Sequence, residues 1–200
     1  MELVKSYSYF LERLRDKYGD DERIVCLLFV DPLNDDQMGG YITHRFDYFH
    51  ERTGEYVDFF CPGYNRDYNE RRFNVKDYVE FVNELERITK WRYYGGTNLL
   101  LIRYSDHQLH FDSVYDINFT RMLLDGFIKD HRHFLEDIIF RFRDDIEQYM
   151  GGERIKNHIK SVWSNFSELL PNFARKLARQ IDDARKIEKY FSPHDITKNR

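Results

Sequence analysis

Three groups of residues carry side chains able to do chemistry. In Asp31-Pro32-Leu33-Asn34-Asp35-Asp36 the carboxylates of Asp31, Asp35 and Asp36 are oxygen ligands of the kind hard divalent cations accept. Pro32 and Leu33 break the spacing of a calcium loop, and acidic residues after a strand are also ordinary turn and cap formers. No metal is therefore expected, with those three as the candidates should one bind. The second group is His44, Asp47, His50 and Glu51, imidazoles and carboxylates as general acid/base work needs. His44, Asp47 and Glu51 share a helix face at spacings of three and four, which a solvated surface explains equally well. The third is Cys61, beside Pro62 and Gly63, a candidate nucleophile without a basic neighbour in sequence. His107, His110, Asp112, His131 and His133 lack zinc-site spacing. Gly39-Gly40 lacks the wider glycine pattern of a nucleotide loop.

These residues need elements to position them. Ile24–Val30 is an apolar run of strand length and Glu55–Tyr64 is a second, with an amphipathic helix over Tyr41–Arg52 between them. Runs apolar on both faces predict a buried, mostly parallel sheet, whose ligands sit beyond the carboxyl ends of its strands. That puts Asp31–Gly40 and Cys61–Tyr64 on one rim. Leu3–Tyr18 carries a helical stripe ending at Gly19, Asn65–Arg72 reads as a polar loop, and Asn74 caps a helix running to Ile88. Asn98–Tyr104 and Gln108–Tyr115 form a hairpin about Ser105-Asp106-His107. From Asn118 the periodicity is helical: one long helix to Tyr149, a second to Leu170 and a third to Phe191.

The expected organisation is an α/β domain with a mixed sheet over 1–117, a helical region packed on it over 118–192, and a polar tail over 193–200. The order β-α-β-α-β-β-α, preceded by a helix and followed by a helical hairpin or bundle, resembles the thioredoxin-like fold. That family's Cys-x-x-Cys would fall in Asp31–Gly40, where this chain has no cysteine, and its proline before the third strand is replaced by Gly95-Gly96-Thr97-Asn98. Thioredoxin-like redox activity is therefore not expected. A flavodoxin-like, doubly wound sheet is the alternative.

Composition narrows the class. Hydrophobic residues at 42% and charged residues at 33% describe a chain neither disordered nor membrane-spanning, with 17 Phe and 15 Tyr filling its core. Met1-Glu2-Leu3-Val4-Lys5 lacks the form of a secretory signal, so a cytoplasmic protein is expected. Residues 150–200 hold 11 Lys/Arg and 6 Asp/Glu, a balance of +5, which leaves −9 for residues 1–149 within a net −4. An acidic front and a basic rear suit an interaction surface. Trp163 and Phe166 are aromatics of the kind enriched at interface cores, with Arg175, Arg179 and Lys186 as a basic margin.

The expectation is thus a cytosolic interaction module, an adaptor, sensor or regulatory subunit without a cofactor, whose C-terminal helices contact a protein or a second copy. The rival is a metal-assisted hydrolase or transferase using Asp31, Asp35, His44, Asp47 and Cys61 at the rim. A weaker alternative is nucleic-acid binding by the basic last helix, against which a pI near 6.1 argues.

Overall fold

Every residue from Ile24 to Val30 is fully buried, because this strand lies inside a sheet covered on both faces. The computed structural model describes residues 2–31, 36–52, 57–67, 70–142, 163–164, 167, 170 and 189–198. Its elements run β1 (Glu2–Val4), α1 (Tyr7–Tyr18), β2 (Arg23–Val30), α2 (Asp36–Arg52), β3 (Val57–Pro62), β4 (Tyr64–Asp67), β5 (Glu70–Phe73) and α3 (Val75–Ile88). There follow β6 (Thr97–Ser105), β7 (Gln108–Asn118), α4 (Phe119–Leu124), α5 (His131–Asp137), a π-helical stretch Ile138–Phe142 and β8 (Pro193–His194). The protein is a mixed α/β structure.

Six strands form one sheet in the order β1-β3-β2-β6-β7-β8, while β4 and β5 form a separate ribbon. β3 runs parallel to β1 and β2, but β6, β7 and β8 are antiparallel to their neighbours. The mostly parallel sheet, and with it the doubly wound alternative, gives way here to a mixed one. The link from β6 to β7 is a tight turn at Asp106 and His107, both at positive φ, and a two-residue hairpin link joins antiparallel strands only.

Alternation along the strands separates two cores. Ile24, Cys26, Leu28 and Val30 point to the face covered by α2, α4 and α5, where Phe119, Phe134, Trp163 and Leu170 also lie. Val25, Leu27 and Phe29 point to the face covered by α1 and α3, against Phe10, Phe81 and Trp91. Lys17 on α1 ties two strands together: its Nζ donates to Glu2 Oε1 at 2.8 Å and to Asp58 Oδ1 at 3.0 Å.

Several local readings are corrected. The leading helix starts at Tyr7, where Ser6 Oγ accepts the Tyr9 N–H, and the residues before it pair as β1. α2 begins at Asp36 instead of Tyr41. The loop expected over Asn65–Arg72 holds the β4–β5 ribbon. The helix expected from Asn118 to Tyr149 breaks after Leu124, because Gly126 takes φ +68 and Asp130 caps a new helix. The stretch after Ser192, read as a polar tail, pairs with β7 and buries Ile196. Among the described residues no helix is long and apolar enough to cross a membrane.

Candidate functional site

Pairing of Val30 with Thr97 and of Asn98 with Asn118 brings the end of β2, the start of β6 and the end of β7 to one end of the sheet. The end of β3 joins them through its parallel pairing with β2. Gly63 there has φ +78, and a Cβ on it would lie 2.5 Å from Tyr78 Cβ, so only glycine lets α3 settle this close. The Asn74 N–H donates to the Gly63 carbonyl at 2.7 Å, and Asn74 Oδ1 caps α3 by accepting the Asp77 N–H. Across the rim, Gly96 has φ +76 and a Cβ on it would lie 2.2 Å from Thr120 Oγ1. The Thr97 N–H donates to that same Oγ1 at 2.9 Å, so the approach to β6 and the first turn of α4 are locked together.

A polar group sits within this end. Trp91 Nε1–H donates to Asp116 Oδ2 at 3.1 Å, and Asn98 Nδ2 donates to Asp116 Oδ1 at 3.4 Å. Asn98 is buried and its Oδ1 finds no partner. Burial pushes the Asp116 carboxyl up to about 6, against the downward pull of the indole bond and the charge of His194. A raised carboxyl with fixed donors is the kind of group that marks functional sites. The sequence reading ended β7 at Tyr115 and so passed over it; the available signal was a single Asp between Tyr115 and Ile117 in an apolar strand. Beside it Tyr78, Tyr93, Trp91 and Phe29 pack ring to ring. Burial first, then Tyr93 and Asp31, push the Tyr78 phenol far above its ordinary range.

Several large apolar side chains on the segments around this end are exposed. Tyr94 is 87% exposed and Leu124 78%, with Leu123 and, on α3, Val75 and Val79 also exposed. Tyr94 stands two residues before Gly96, and Leu124 one helical turn beyond Thr120, so the Gly96–Thr120 contact holds the two segments side by side.

Among the described residues, those singled out from sequence fall in different places. Asp31 ends β2, half-buried on the α3 face. Cys61 points into the opposite core and is fully buried, where burial pushes its thiol up to about 12. His44 is exposed on α2, which also carries Asp36 and Asp47 in its backbone. Asp35, Phe166, Arg175, Arg179 and Lys186 lie outside the described residues. Trp163, expected on a partner surface, instead packs on Tyr115 with ring centroids 5.9 Å apart and is buried within the chain. Its indole lies in the α5-side core. His107 pairs with Asp20, His110 bonds Ser105 Oγ, and His133 pairs with Asp130, each beside a local turn or cap. Among the described residues no three His, Cys, Asp or Glu side chains form a group able to hold a metal ion. The chain matches no family model, no curated protein and no solved structure.

Proposed function

We propose that this chain is a binding module, an adaptor or regulatory subunit, that docks a protein partner on the rim at the carboxyl ends of β2 and β3. The observation that carries this is the exposure of Tyr94 and Leu124, large apolar side chains left in water on two segments joined by the Gly96–Thr120 contact. Large apolar side chains left in water are the material of interaction sites, and aromatic anchors lose little entropy on binding. The separation of Asp31, His44 and Cys61 supports the same reading against a nucleophilic or metal-assisted hydrolase at this rim. The basic C-terminal residues Arg175, Arg179 and Lys186 belong to the proposal through their charge, which would draw an acidic partner. The element order β2-α2-β3-α3-β6-β7-α5 supports a thioredoxin-like assignment, with the β4–β5 ribbon inserted. Cys26 and Cys61 are buried thiols not joined in a disulfide, which supports a reducing, cytoplasmic setting.

Affinity capture from cells with the wild-type chain and with Tyr94→Ser/Leu124→Ser tests the proposal. Both side chains are exposed, so the double variant keeps its melting temperature, and partners recovered by the wild type are lost. Recovery of the same partners by both proteins would sink it. A second reading rests on Asp116, whose raised carboxyl suits proton transfer near neutral pH. Turnover on any ester or phosphoester substrate that titrates near pH 6 and vanishes in Asp116→Asn would favour it.

A further inference from the structure

The last described residues cover an edge. β7 is the outermost long strand; on the side away from β6, among the described residues, Pro193–His194 pair with it, Val114 opposite His194 and Tyr115 opposite Pro193. The segment continues between β7 and the end of α3. The Ile196 N–H donates to the Phe111 carbonyl at 2.9 Å on one side, while the Ile196 carbonyl accepts the Lys90 N–H at 2.8 Å on the other. Thr197 bridges Thr89, and Lys198 Nζ donates to the Arg87 carbonyl at 2.8 Å. Ile196 enters the core beside Val114 and Ile102 at 7% exposure, whereas Pro193, His194, Asp195, Thr197 and Lys198 are exposed.

The attachment therefore has the form of strand addition: main-chain hydrogen bonds to an edge, plus one side chain in a pocket. Tyr190 and Phe191 are anchored in the opposite core, and beyond Ser192 one buried side chain and a few edge hydrogen bonds make a unit able to open below the free energy of global unfolding. An opened β7 edge presents unpaired main-chain groups and an empty isoleucine pocket, a template for another strand. Pro193 also cannot donate to a further strand, so the docked segment ends the sheet and the acceptor edge is β7 alone.

We propose that the β7 edge is a strand-acceptor site filled by the chain's own residues 193–198, and that the same segment of a second copy fills it in exchange. The segment's chemistry fits the edge by observation, and a second copy is the source of that chemistry. Reciprocal exchange gives a closed two-fold pair in which every contact of the closed monomer is kept. This site runs along the side of the sheet and touches the rim group only where the His194 charge reaches Asp116, so its test is read independently of the Tyr94 and Leu124 docking claim.

The test uses the full chain and a labelled synthetic peptide with the sequence of residues 192–198. Fluorescence anisotropy compares the wild type with Ile196→Asp, whose own segment no longer competes for the edge. The peptide is expected to bind Ile196→Asp at least about ten-fold more tightly than wild type, because more of the variant is competent to receive it. Peptide carrying the same change binds neither protein. Light scattering is expected to show a wild-type dimer fraction that grows with concentration and is reduced by excess peptide. Should Ile196→Asp alter the far-ultraviolet circular dichroism, Ile196→Ala takes its place, with a gain of at least about three-fold expected. Equal affinity for variant and wild type, no peptide binding, or a wild type monomeric at every concentration would each overturn the proposal.

Discussion

Removing a carboxyl from water disfavours its charged form, and Asp116 carries that cost beside Trp91 and Asn98. Its acidity lies near the unperturbed 3.8 in the unfolded chain and near 6 in the folded one. The folded state therefore holds the proton more tightly, and this contribution to stability is fully present below about pH 4. It is lost as pH rises through about 6. Asp116→Asn keeps an acceptor for the Trp91 indole without the charge. We expect it to raise stability by on the order of 1–2 kcal/mol at pH 7, after allowing for partial solvent access, and to change little at pH 4. Urea denaturation at the two pH values reads the difference, and an equal effect at both would refute the assignment. Glycine 96 works by shape instead. Gly96→Ala forces a side chain into the positive-φ region and against Thr120, at a cost of roughly 2–4 kcal/mol by overpacking and strain together. A loss under about 1 kcal/mol would show that α4 shifts freely.

At the scale of elements, strong periodicity carried well from sequence to structure. Ile24–Val30, α3 with its Asn74 cap, and the turn of the β6–β7 hairpin stand within a residue or two of the boundaries read from spacing, while β7 runs three residues past Tyr115 to Asn118. What failed to carry has physical reasons. β1 is three residues long and held by β3 and Lys17, partners far away in sequence. The β4–β5 ribbon is almost wholly polar between Tyr64 and Phe73, so no alternation announces it; those two rings meet at 5.1 Å and close it. The break after Leu124 was hidden because the apolar period resumes in α5, although Gly126 and Asp130 are a stop and a start. The candidate site was legible only as a place. Strand ends at one rim were foreseeable, whereas Asp116, Asn98 and Trp91 come from three segments joined by sheet register. Asn74 offers an element-scale prediction: Asn74→Ala should cost about 1 kcal/mol, by removing the acceptor for the Asp77 N–H. Thermal unfolding checks it, and no change in melting temperature would mean that water replaces the cap.

Across the described residues the two faces of the sheet are spent on core, so the docking proposal falls on the strand ends. The α2 face takes Trp163, Leu170, Tyr190 and Phe191 from the C-terminal region, so those apolar residues complete the fold. The rim is different: Tyr94 and Leu124 stay in water on a frame fixed by Gly96 and Thr120. Tyr48, 42% exposed on α2 beside Phe140, is a control tyrosine on the other face. Hydroxyl-radical footprinting of the chain alone and in its affinity-captured complex tests the docking claim most directly. The account predicts strong protection of Tyr94, Leu123 and Leu124 in the complex with Tyr48 unchanged. Protection of Tyr48 with Tyr94 and Leu124 left as reactive as in the free chain would contradict it.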